Sequence, residues 1–258
     1  VEVSVTPAHL RITLLEDKDS MAKKNRNRGS VPQTRKKVEI DPYNTAQQDY
    51  VRAIHSNDIT FGIGSAGTGK TYLAALLAMH YMTEGLVNRI VIARPAVTAG
   101  GEDIGFLPGG ITAKMDPYIR PIIDAFRTYW GTSTIQDYIG RGDIEIVPLA
   151  FMRGRTFDDT FIIADEMQNA TPENLLMLLT RFGVRSKMVI TGDPIQSDVN
   201  GNSCFRVAES ILNEVEAIEF VSFGESDVVR HDTVKNILNA WPVAGITNNG
   251  VGVMHAAA

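Results

Sequence analysis

Ile59-Thr60-Phe61-Gly62-Ile63-Gly64-Ser65-Ala66-Gly67-Thr68-Gly69-Lys70-Thr71 carries an apolar run suited to a buried strand straight into a glycine-rich turn. Residues 64–71 satisfy G-x-x-x-x-G-K-[ST] in full, and a helical pattern over 70–83 follows at once, which is the context that the P-loop reading requires. The glycines permit a tight turn whose backbone N–H groups converge on phosphate oxygens, and the following helix adds partial positive charge at its N-terminus. Gly64, Ser65, Ala66, Gly67, Thr68 and Gly69 are therefore candidate phosphate-binding residues. Lys70 can reach the β and γ phosphates, and the Thr71 hydroxyl can ligate Mg²⁺. Gly62-x-Gly64-x-x-Gly67 also fits the dinucleotide fingerprint. That reading expects an acid where the second strand ends, and here the residues are Ile92-Ala93-Arg94-Pro95; the Lys-Thr pair favours a triphosphate.

Outward from this loop, four more short apolar runs suit buried strands, at 90–93, 161–164, 187–191 and 217–223. Helical patterns occupy 70–83, 116–129, 172–182, 203–214 and 231–240. A further helix over 45–55 is expected to be capped by Thr45 and to face Tyr50, Val51 and Ile54 inward. Apolar strands alternating with crossover helices predict an α/β fold with a mainly parallel sheet covered on both faces. Residues 94–130 form a long excursion on the ligand-facing rim, where long insertions are often functional.

A P-loop needs a second anchor for its metal. Phe161-Ile162-Ile163-Ala164-Asp165-Glu166 ends an apolar strand in two acids: Asp165 suits Mg²⁺ and Glu166 suits a general base for water, the alternative being a solvated turn. The next strand ends in Thr191-Gly192-Asp193-Pro194-Ile195-Gln196. In a parallel sheet Asp193 and Gln196 share the P-loop rim and can contact the γ-phosphate or its water, although Gly-Asp-Pro is also a good turn. Arg230, just before the last helical pattern, suits charge stabilisation during phosphoryl transfer or is an ordinary surface arginine. Cys204, the single cysteine, reads as a small apolar filler.

The chain has 258 residues, 44% hydrophobic and 21% charged, which suits one main globular domain and neither a disordered nor a fibrous class. No apolar run reaches the roughly 18 residues of a membrane span. The net charge of −5 hides seven basic residues and no acid between Lys23 and Lys37, in a stretch without apolar period. Residues 1–40 are thus expected to form a flexible basic extension, a solvated tail or a polyanion-binding arm; 41–243 the nucleotide-binding domain; and 244–258 a loose tail. The expected location is the cytoplasm, with no membrane contact.

Jointly, residues 64–71, Arg94-Pro95-Ala96-Val97, Gly105-Phe106-Leu107-Pro108-Gly109, Met152-Arg153-Gly154-Arg155-Thr156, Asp165-Glu166-Met167-Gln168-Asn169, Thr191-Gly192-Asp193 with Gln196, and Asp227-Val228-Val229-Arg230-His231 resemble the PhoH family, itself similar to the core of superfamily 1 helicases. The resemblance covers 43–241. It implies a RecA-like P-loop domain that hydrolyses ATP with Mg²⁺ and couples this to single-stranded RNA. It carries Lys70, Thr71, Asp165, Glu166, Gln196 and Arg230 into nucleotide roles. Gln47 resembles the glutamine that reads adenine in such helicases; a plain surface glutamine is the other reading. Met167 stands where many members have Ala, which leaves metal binding untouched. Some members add a PIN nuclease domain; the preceding segment here is short and lacks an acid cluster, so no RNase activity is expected. A ring homo-oligomer, a hexamer, is expected, with Arg230 or another arginine reaching a neighbour's nucleotide. Arg94, Lys114, Arg120, Arg127, Arg153 and Arg155 are candidate RNA contacts, plain scaffold salt bridging being the other reading. Two other classes share the P-loop: a nucleotide-gated assembly or switch protein acting without RNA, and a small-molecule kinase, which Glu166 argues against because it activates water.

Overall fold

The computed structural model describes residues 38–95, 111–196 and 204–229, with Thr233 and a two-residue antiparallel pair, Val3–Ser4 with Thr13–Leu14. Six parallel strands make the main sheet: β1 Ile59–Gly64, β2 Arg89–Arg94, β3 Ile144–Pro148, β4 Thr160–Ala164, β5 Lys187–Gly192 and β6 Ile218–Phe223, in the order β3-β2-β4-β5-β1-β6. Strand side chains alternate between faces, so each central strand supplies two cores. In β4, Phe161 and Ile163 join one cluster while Ile162 and Ala164 join the other; in β2, Ile90 and Ile92 separate likewise from Val91 and Ala93. Both faces are therefore apolar, as a parallel sheet between helices demands.

Helices α1 Thr45–Ser56, α2 Lys70–Thr83, α3 Ile111–Trp130 and α4 Thr132–Arg141 cover the first face, and α5 Pro172–Leu179 and α6 Cys204–Leu212 the second. Tyr50, Val51 and Ile54 of α1 are buried as expected. The cap is Asn44 and not Thr45: Asn44 keeps extended backbone, φ −143° and ψ 173°, while its side chain accepts from Gln47 N at 2.9 Å, and Thr45 is already the first helical residue. Cys204 is buried in the second core, where burial pushes its thiol up to about 12.

Strand β3 and helix α4 carry no expectation from the sequence reading. β3 is an edge strand paired with β2, and its Glu145 and terminal Pro148 dilute the apolar signal. α4 lies between Gly131 and Gly142, both at positive φ. The expected helix 231–240 apart from Thr233, Arg230, the basic arm and the C-terminal tail lie outside the described residues. No helix among the described residues is long and apolar enough to cross a membrane.

Candidate nucleotide site

β1 delivers the chain to the sheet's C-terminal rim, and α2 begins at Lys70. Between them the loop turns through left-handed backbone at Gly67 and Gly69, with φ of 85° and 87°. Gly69 is doubly constrained, since a Cβ there would stand 2.8 Å from Gln47 Nε2. Lys70 is buried. Its Nζ donates to Gly64 O and Ser65 O, each at 2.7 Å, and to Thr68 Oγ1 at 3.1 Å. Burial lowers the Lys70 pKa, and Asp193, Asp165 and Glu166 oppose that shift. This is an ammonium group held by loop carbonyls and surrounded by acids, arranged to meet a compact polyanion.

Strand order decides what faces it. β5 lies between β1 and β4, so the ends of these three strands converge. Asp165 Oδ1 accepts from Thr71 Oγ1 at 2.7 Å and from Thr191 Oγ1 at 2.6 Å. A hydroxyl and a carboxylate, both hard oxygen donors, already touch, and this fits Mg²⁺, which takes few protein ligands and completes its shell with water and phosphate. Among the described residues no group of three or more His, Cys, Asp or Glu could hold a metal by itself, so the donor set suits a metal arriving with a phosphate ligand. Thr71 and Asp165 would hold it, and it would supply neutralisation of phosphate charge.

Glu166 adopts φ 56° and ψ 36°, a left-handed conformation uncommon outside glycine and costing roughly 1–2 kcal/mol. This turn aims the carboxylate into the cleft instead of along the strand. Gln168, which the motif reading left without a role, is the site-side contact the sequence concealed. It is buried, its Nε2 donates to Glu166 Oε2, and its Oε1 accepts from Asp193 N at 3.2 Å. The amide therefore ties the end of β4 to the end of β5. Gly192 makes room for it, since a Cβ there would meet Gln168 Oε1 at 2.6 Å. No spacing rule marks Gln168 in advance, because its partners come from two strands.

Lys70, Thr71, Asp165, Glu166, Asp193 and Gln196 line one cleft of about 280 Å³ with Ala66, Gly67 and Gly69. Its remaining wall is Gly192 at the end of β5, Tyr72 of α2, and Pro121 and Ile122 of α3; the sequence reading did not single out the last three. Gln47 sits outside this lining. Its Nε2 donates to Thr68 O at 2.8 Å, and its Oε1 accepts from Tyr43 N at 2.8 Å, so the buried amide ties α1 to the back of the phosphate loop. Val229 N donates to Gly67 O at 2.9 Å, bringing the segment after β6 to the loop tip; Arg230 itself is outside the described residues. Several candidate RNA contacts have protein partners. Arg155 pairs bidentately with Glu145 at 2.7 Å, Arg127 bonds Asp124 at 2.8 Å, and Arg94 lies against the acid pair. The Lys114 side chain is outside the described residues.

A glycine-rich strand-to-helix loop and a strand-end acid pair sharing one cleft on a parallel sheet define a protein of the P-loop fold class. The family model described as PhoH-like protein matches residues 39–242, and the chain belongs to the PhoH family. It is 47% identical over 197 residues to a PhoH-like protein of Bacillus subtilis, covering 76% of this chain and 61% of that protein. It is 46% identical over 220 residues to a PhoH-like protein of Mycobacterium tuberculosis, covering 84% and 62%, and 38% identical over 203 residues to Protein PhoH of Escherichia coli, covering 77% and 57%. The chain thus spans about three fifths of the length of these curated relatives. A Sulfolobus solfataricus SWI2/SNF2 ATPase core in complex with dsDNA is similar at a TM-score of 0.38 and 13% identity, over 62% of this chain and 35% of that one, a likeness too distant to bear on function.

Proposed function

We propose that the protein binds ATP with Mg²⁺ and hydrolyses it, coupling turnover to single-stranded RNA within a ring oligomer. The observation that carries the ATPase reading is the shared cleft, with Lys70 on one side and Asp165 with Glu166 on the other. In this reading the loop amides and Lys70 take the phosphates, and Glu166 receives a proton from the attacking water. Asp193 and Gln196 face the same cleft as sensors of the terminal phosphate. The RNA link is supported by the family and by exposed Arg120, Arg127 and Arg153. The ring is supported by apolar side chains left exposed on the adjacent helices α5 and α6, Leu176 at 63% and Ile211 at 65%.

The test is release of free phosphate from ATP with Mg²⁺, with and without a panel of single-stranded nucleic acids, alongside light scattering with and without ATP. Phosphate release stimulated by RNA is the expected result. Indifference to RNA with ATP-dependent assembly would identify a nucleotide-gated switch instead, and phosphate passed to a small molecule would identify a kinase. Turnover by a particle that stays monomeric removes the ring.

A further inference from the structure

Arg94 reaches the candidate site from the end of β2, where the sequence reading assigned no nucleotide role. Register puts it there: Ala93 pairs with Ala164, and Asp165 N donates to Ala93 O at 2.9 Å, so the residues that follow emerge side by side on the rim. Arg94 Nη1 stands 3.8 Å from Asp165 Oδ2, and Nη2 stands 3.8 Å from Glu166 Oε1. These are ion-pair distances, too long for hydrogen bonds. The fork of a guanidinium spans two carboxylates where one ammonium cannot.

The opposite oxygen of each acid is held elsewhere, Asp165 Oδ1 by two threonine hydroxyls and Glu166 Oε2 by Gln168. The Arg94 side chain is 22% exposed, partly withdrawn from water that would screen it. Neighbouring carboxylates repel, and Glu166, 39% exposed against 9% for Asp165, is the less enclosed of the two. Arg94 is not among the residues lining the cleft; its contacts with the site are those with the two acids.

We propose that Arg94 is a positioning residue for hydrolysis, its guanidinium spanning Asp165 and Glu166 so that the Glu166 carboxylate stays turned toward the water it deprotonates. The pair lacks a hydrogen bond, so Glu166 Oε1 keeps its lone pairs for that proton. This rests on the ATPase reading above.

The experiment measures steady-state ATP hydrolysis by the full chain as wild type, R94A, R94K, E166Q and the R94A/E166Q double variant. Affinity for a fluorescent, non-hydrolysable ATP analogue is titrated separately. R94A is expected to lower kcat about tenfold to a hundredfold, with KM and analogue affinity within about twofold of wild type. R94K recovers part of the loss. The double variant turns over no more slowly than E166Q, because the arginine acts through the glutamate. R94Q replaces R94A if circular dichroism shows R94A unfolded. Unchanged kcat in R94A overturns the proposal, as does a loss that multiplies fully with E166Q or one confined to analogue affinity. A wild type that releases no phosphate removes the ATPase reading, and this inference with it.

Discussion

Two lysines among the described residues are drawn out of water, Lys70 at one end of the sheet and Lys187 at the other. Both have pKa values lowered chiefly by burial, and both donate to backbone carbonyls. Lys187, the first residue of β5, donates to His55 O at 3.0 Å and Asn57 O at 2.6 Å, closing the C-terminal end of α1. Only Asp58 opposes its shift, whereas three acids oppose that of Lys70. A depressed lysine is therefore no signature of a site. What separates the two is a cleft and converging carboxylates around Lys70, against a helix end that Lys187 satisfies and seals.

Substitutions can break or sharpen that contrast. Lys70→Ala is expected to abolish phosphate release and weaken ATP binding while the fold persists; unchanged turnover would refute the phosphate-loop assignment. Glu166→Gln should retain nucleotide while kcat falls about a hundredfold or more, the scale of a lost general base, and equal rates in a stopped assay would move the base elsewhere.

The opposite end should answer in stability alone. His55 is held neutral, its pKa lowered to about 4 by burial, His80 and Lys187. The unfolded chain gains this proton as pH falls through about 6.5, and the folded chain only near 4. Stability is thus complete above about 6.5 and is lost across that window, by about 3 kcal/mol in all. His55→Phe should flatten urea midpoints between these pH values, and a slope as steep as wild type counts against the assignment. Lys187→Met strands two carbonyls and should cost about 1–3 kcal/mol without altering KM or kcat. A change in KM would mean that the two ends communicate. Arg185→Ala, which removes an exposed, solvent-screened pair with Asp159, should leave the urea midpoint essentially unchanged.

Legibility followed contiguity. Residues 64–71 and Asp165-Glu166 could be read because each functional group sits beside the strand that presents it. The five expected strands and the buried face of α1 could be read because burial imposes a period on neighbouring residues. β3 escaped because an edge strand with Glu145 mid-run lacks that period, and α4 because glycines flank and interrupt it. Asn44 was passed over for Thr45 because the two caps differ by one residue, and only the Gln47 N–H decides between them.

The amino-acid sequence by itself determined a glycine-rich loop between strand and helix, a strand-end acid pair, and the alternating texture of a parallel sheet, because local spacing encodes each of these. Only tertiary structure decided that β5 stands between the loop strand and the acid strand, so that Thr191 shares Asp165 with Thr71. It also turned Arg94 from a rim cation into a partner of both acids, placed Gln47 behind the loop, and made Gln168 the tie between β4 and β5. These contacts join residues tens of positions apart, and strand order and register, which no short window of sequence contains, are what bring them within reach.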